Sequence, residues 1–156
     1  MALALNPLLV IADEPTTALD VVVQKQLLTL LKGLQRKLGV SFLFITHDLS
    51  VIGEIANRIA IMYAGKIVEV GRKEDVLNHP SHPYTEALVN SVPRVFGERQ
   101  ILNSIPGNPP SGVWPTGCRF HPRCKYAFDL CKQKEPELTT SKTGAKAACH
   151  LLSTGH

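Results

Sequence analysis

An α/β fold is predicted for this 156-residue chain by three observations. The apolar run Leu8-Leu9-Val10-Ile11-Ala12 ends abruptly in Asp13-Glu14-Pro15, and a second apolar run, Val40 to Ile45, ends in Thr46-His47-Asp48. Between them lies an amphipathic segment. Short continuous apolar runs read as buried strands of a parallel sheet, and a helix is the usual connection between two parallel strands. Such a crossover is right-handed, which places Asp13, Glu14 and His47 along one sheet edge. Ligands bind at the carboxyl ends of the strands in sheets of this kind. Two adjacent carboxylates there suit nucleotide triphosphate hydrolysis, in which one acid holds magnesium and its neighbour orients water.

Each element follows in order. Asp20 is a natural N-cap for a helix over 21–38, where Leu27, Leu28, Leu31, Leu34 and Leu38 recur at three- and four-residue spacing and Gly39 marks the stop. A short helix is expected over 49–57. Strands over 58–63 and 66–70 flank Ala64-Gly65, the spacing of a tight hairpin. Short helices are expected over 72–78 and 83–91, the second opened by Pro83 in its first turn. Residues 105–117 hold four prolines and three glycines and read as an extended tether. The remainder, 118–156, has little apolar periodicity and contains all four cysteines. The domains expected are therefore 1–93, a linker over 94–117, and a Cys-rich segment over 118–156. No internal repeat is present.

Composition narrows the class. Hydrophobic residues at 44% and charged residues at 19% describe a globular chain. The net charge of +4 is uneven: residues 1–93 carry eight Lys/Arg against nine Asp/Glu, and residues 94–156 carry nine against four. The basic tail lacks interleaved stacking aromatics, which argues against a nucleic-acid partner. The apolar start lacks a basic leading region and is followed by Asp13-Glu14 where a cleavage site should lie, so it does not read as a signal peptide. No apolar run approaches the roughly 20 residues that span a bilayer.

Taken together, strand-Asp-Glu, Pro15-Thr16-Thr17-Ala18-Leu19-Asp20 and a strand ending in Thr46-His47-Asp48 resemble an ATP-binding cassette ATPase. Leu8 to Glu14 is similar to the Walker B strand, Ala18-Leu19-Asp20 to the D-loop, and His47 to the switch histidine. The stretch His82-Pro83-Tyr84-Thr85-Glu86-Ala87-Leu88 and the Cys-rich tail resemble segments of the oligopeptide, dipeptide and nickel importers. The fold this implies is a partial ABC-ATPase, P-loop NTPase-like parallel sheet with helices, plus an irregular Cys-rich C-terminal extension. The resemblance implies ATP and Mg²⁺ as cofactors. Asp13 would help hold magnesium, Glu14 would polarise the attacking water, His47 would contact the γ-phosphate, and Asp20 would reach across a dimer interface. The implied partners are a second ATP-binding subunit, transmembrane permease subunits and, indirectly, an extracytoplasmic solute-binding protein. The implied location is the cytoplasmic face of the cell membrane.

Departures from the pattern matter as much. The triphosphate is cradled by G-x-x-x-x-G-K-[ST], which these residues lack: Gly65-Lys66 is followed by Ile67, and Ala60 stands where the first glycine belongs. The glutamine loop and Leu-Ser-Gly-Gly signature are also missing, and Met1 to Leu5 resemble the end of the helix that follows that signature. The expectation is a C-terminal portion of a longer subunit, inactive towards ATP alone. Its sheet, deprived of neighbouring strands, would expose an apolar edge that invites a non-native dimer, a strand swap or a rearranged sheet.

Cys118, Cys124, Cys131 and Cys149 are separated by five, six and seventeen residues. A cytosolic compartment keeps thiols reduced, which argues against disulfides. Four thiolates suit a [4Fe–4S] cluster or tetrahedral Zn²⁺. Zinc sites favour cysteine pairs two to four residues apart, absent here, and the resemblance to peptide importers also favours iron–sulfur. His121 and His150 flank the ligands and are possible substitutes. A second functional reading is a stand-alone metal-binding or regulatory module without ATPase activity. A third is a DNA-repair or other non-transport ATPase, which the tail disfavours.

Overall fold

The computed structural model describes residue 3 and residues 5–91, 105–110 and 112–153. It is an α/β protein that divides into two compact units, Met1–Ile55 and Ala56–His156.

In the first unit, β1 (Leu9–Asp13) pairs in parallel with β2 (Ser41–Ile45), with Ile11 opposite Leu43 and Asp13 opposite Ile45. The intervening α1 (Val21–Leu38) is defined by its ends. Asp20 accepts hydrogen bonds from the Val22 and Val23 amides, each at 2.9 Å, and Gly39 closes the helix at φ 66° with its N–H on the Gln35 carbonyl. A left-handed residue at that position is where glycine carries no steric penalty. The capping of α2 (Leu49–Ile55) falls to Asp48, whose Oδ1 accepts the Ser50 amide at 2.8 Å. Leu28, Val40 and Val51 form the small core of this unit. Leu9, Ile11, Leu43 and Ile45 all remain exposed on the two-stranded sheet. A two-stranded sheet with an apolar exposed face needs further strands or packing for independent stability.

In the second unit the sheet order is β3 (Arg58–Tyr63), β4 (Lys66–Arg72), β6 (Lys146–Ala148), β5 (Leu138–Thr140), antiparallel throughout. The β3–β4 turn has φ 49° at Ala64 and 78° at Gly65, the two positive values that match a hairpin turn to strand twist. The remaining helices are α3 (Lys73–Asn78), α4 (Pro83–Ser91) and α5 (Asp129–Gln133). The core holds Ile59, Ile61, Val68, Val76 and an aromatic cluster. Phe120 stands 5.1 Å from Tyr63 and 5.3 Å from Tyr84 between ring centroids, so the segment after His82 packs on the Cys-rich tail.

The two compact units adjoin in sequence between residues 55 and 56, and in the second β6 joins the edge of β4 and ties the tail to the hairpin. The tail is more regular than its composition suggests, with two strands and a helix after residue 118. Of the expected linker, residues 94–104 and 111 lie outside the described residues. Ile105 and Pro106 are held by their carbonyls, which accept from the Arg123 guanidinium at 3.1 and 2.8 Å.

Candidate functional site

The carboxyl ends of β1 and β2 bring Glu14 and His47 together across thirty-three residues of sequence: Nδ1–H of His47 donates to Glu14 Oε1 at 2.9 Å. The Glu14 backbone makes this possible. Its N–H continues the strand ladder onto the Ile45 carbonyl at 2.8 Å, while its φ of 47° turns the chain out of the strand. A non-glycine residue in the left-handed region is uncommon and clusters at functional sites. Thr17 donates from Oγ1 to Glu14 Oε2 at 3.1 Å, so both carboxylate oxygens are engaged. The turn that follows is closed by Thr17 N–H on Glu14 O and Leu19 N–H on Thr16 O, both at 3.2 Å. Asp13 is exposed at the strand end beside this pair. Asp20 is committed to capping α1.

The pair titrates as a unit. The hydrogen bond from His47 holds the Glu14 carboxyl below its ordinary value, and the same hydrogen bond holds the His47 imidazole above its own. Both side chains are open to water, 38% for Glu14 and 84% for His47, so screening keeps the contribution to stability small. The signs set the window. Stabilisation by Glu14 is lost as pH falls through its lowered pKa, and stabilisation by His47 is lost as pH rises through its raised pKa. In an NMR titration the His47 midpoint should therefore lie above the ordinary histidine value of 6.5. Glu14→Gln should bring it back towards that value. An unmoved midpoint would mean that the two side chains do not pair in solution.

The second constellation is a pocket lined by Cys118, Cys124, Cys131 and Cys149 together with His82, His121 and His150. The four cysteines are free thiols. Burial pushes up the thiol pKa of Cys118, Cys124 and Cys149, the last to about 11. The Cys118 amide donates to the Cys131 carbonyl at 2.8 Å and ties two of the four segments together. Among the described residues, no three His, Cys, Asp or Glu side chains converge on one metal-ion position. Neither the [4Fe–4S] cluster nor the Zn²⁺ expected on Cys118, Cys124, Cys131 and Cys149 finds support in this arrangement. His82 was missed from sequence. It lies thirty-six residues before the first cysteine and reaches the pocket only because Phe120 packs on its ring, with centroids 5.8 Å apart.

Comparison with known proteins places these features in context. Residues 68–131 match the family of the oligopeptide/dipeptide transporter C-terminal region. The chain is 49% identical over 152 residues to the oligopeptide transport ATP-binding protein AppD of Bacillus subtilis, covering 97% of this chain and 46% of that protein. It is 42% identical over 156 residues to the dipeptide transport ATP-binding protein DppD of Caldanaerobacter subterraneus, covering 99% and 48%. With the oligopeptide transport ATP-binding protein OppD of Haemophilus influenzae the identity is 47% over 152 residues, covering 97% and 47%. The chain thus spans about half the length of these relatives.

Proposed function

Because the chain belongs to the family of oligopeptide and dipeptide transport ATP-binding proteins, we propose that it carries the hydrolytic acids of an ATPase subunit that energises peptide import. The observation that supports this most is the Glu14–His47 contact at 2.9 Å where two parallel strands end, with Asp13 adjacent. In this reading β1 and β2 are part of a larger parallel sheet of the ABC-ATPase kind. Their exposed apolar residues fit a sheet continued by further strands. Residues 1–93 are the nucleotide-domain portion, 94–117 the linker and 118–156 the extension.

The chemistry asks mostly for positioning and charge compensation. Asp13 holds magnesium, which when bound neutralises charge on the phosphate oxygens. Glu14 accepts a hydrogen bond from the attacking water and so orients it. That requires His47 to release Oε1, and the imidazole is then free to donate to the γ-phosphate. Asp20, already fixed by the α1 amides, marks the edge that meets a second ATP-binding subunit. Transmembrane permease subunits and, through them, an extracytoplasmic solute-binding protein complete the assembly at the cytoplasmic face of the membrane.

The same reading assigns Cys118, Cys124, Cys131 and Cys149 as ligands of a [4Fe–4S] cluster. Support comes from four free thiols lining one pocket, the donor type that holds such a cluster.

The transport reading is tested with the full-length subunit reconstituted with its permease partners in vesicles. His47→Ala should lower ATP-driven peptide uptake by about 10²-fold, the scale of losing one transition-state donor. Uptake at the parental rate would refute the assignment.

A further inference from the structure

A carboxylate that orients water does so through one oxygen, and the other must be held if the first is to point steadily. Glu14 carries its carboxylate on a flexible side chain that is 38% exposed, and an unrestrained glutamate of that kind samples many rotamers. Two groups restrain it. His47 occupies Oε1 at 2.9 Å, the oxygen it gives up before water takes its place. Thr17 occupies Oε2, donating from Oγ1 at 3.1 Å, and nothing in the hydrolysis asks it to leave.

Thr17 is exposed, so the turn rather than burial keeps it there. Its N–H donates to the Glu14 carbonyl at 3.2 Å, which fixes the two residues in one turn. The neighbouring Thr16 is buried and anchors that turn, and its carbonyl accepts the Leu19 amide at 3.2 Å. Left-handed backbone at Glu14 (φ 47°) and Ala18 (φ 66°) brackets the segment. A hydroxyl that donates to an ionised carboxylate makes a charge-assisted hydrogen bond, stronger than a neutral one. After the larger effect of the His47 bond, the Thr17 bond is the next that holds the Glu14 carboxyl below its ordinary value.

We propose that Thr17 is a positioning residue for ATP hydrolysis: its hydroxyl holds Oε2 of Glu14 so that Oε1 faces the attacking water once His47 turns to the γ-phosphate. The inference rests on the assignment of Glu14 as the group that orients this water. In this role Thr17 touches neither water nor nucleotide and acts through the carboxylate alone. The requirement is for a hydroxyl donor, which serine also supplies and valine, close to threonine in shape, does not.

The test uses the chain joined to a phosphate-loop segment from one of its longer relatives, with Thr17→Val, Thr17→Ser and Glu14→Gln compared in steady-state ATP hydrolysis across pH. Thr17→Val should lower kcat about tenfold with KM for ATP nearly constant, short of the roughly 10²-fold that a full 1 Å misplacement costs. Loss of a donor to the ionised carboxylate raises its pKa, so the acid limb of the kcat profile should move to higher pH, which a merely structural loss would not do. Thr17→Ser should recover most of both changes. A parental kcat and acid limb in the Val variant, or a Ser variant as impaired as the Val variant, overturns the role of Thr17; with Glu14→Gln still impaired, the assignment of Glu14 stands. A parental kcat in Glu14→Gln overturns that assignment and the inference together.

Discussion

Glu14→Gln, introduced into the chain joined to a phosphate-loop segment from one of its longer relatives, is expected to lower kcat for ATP hydrolysis by about 10²–10⁴, the range for loss of a positioned acid–base group. The substitution is nearly isosteric. It keeps an oxygen able to accept from Thr17 Oγ1, now 3.1 Å from Oε2, and it leaves the backbone bond from Glu14 N–H to the Ile45 carbonyl untouched. What it removes is the negative charge that holds His47 and that would orient the water. ATP affinity should therefore change little, and the loss should fall on kcat with KM nearly constant. Thermal unfolding should be nearly unchanged, because the Glu14–His47 pair is solvent-exposed. An unaltered kcat would remove Glu14 from the reaction.

The largest structural effect is expected at the wall of the thiol pocket. Gly117 sits at φ 67°, and a Cβ there would lie 2.4 Å from the Cys131 carbonyl oxygen and 2.8 Å from the Lys132 carbonyl carbon. Both obstacles are backbone, and the first already accepts the Cys118 amide. Gly117→Ala thus combines a left-handed alanine with an overpacked contact, for a combined cost of about 2–4 kcal/mol. For a chain of this size that is a fall in Tm of roughly 5–15 °C. The damage centres on Cys118 and Cys131, so cysteine alkylation in the native state should quicken with it. A variant with parental Tm and parental alkylation would show that this contact does not hold the pocket together.

Legibility in the sequence differed between the two units for physical reasons. In the first, the local signals agreed with one another. The leucine spacing, Asp20 and Gly39 define α1, and the two apolar runs ending in polar residues define β1 and β2. The meeting of Glu14 with His47 then follows from the handedness of the crossover. Its detail did not: nothing local announces the left-handed φ at Glu14 or the Thr17 contact that completes the carboxylate's shell.

In the second unit the deciding contacts are long-range. Strands β5 and β6 have three residues each, too short to show an alternating pattern. Their docking depends on small residues. A Cβ on Gly71 would approach Ala145 Cβ to 2.7 Å, so glycine on β4 and alanine on the tail are what let the two backbones meet. A glycine inside a strand is a signal of close backbone approach, and it was available in Val70-Gly71. Glu69 reads as a solvent-facing strand residue, yet it is wholly buried and accepts the Ser81 and His82 amides. The burial of His82 was not legible because Glu69 and Phe120, which hold its backbone and cover its ring, are distant in sequence.

The proposal is that Asp13, Glu14 and His47 supply the acids and the histidine of an ATP-hydrolysing site; the phosphate-cradling G-x-x-x-x-G-K-[ST] does not occur in these 156 residues. Magnesium-dependent phosphate release, measured in parallel on this chain alone and on the chain joined to a phosphate-loop segment from one of its longer relatives, tests it most directly. Turnover in the joined protein and none in the chain alone is the expected result. Turnover by the chain alone, or silence from a folded joined protein that binds ATP, would contradict it.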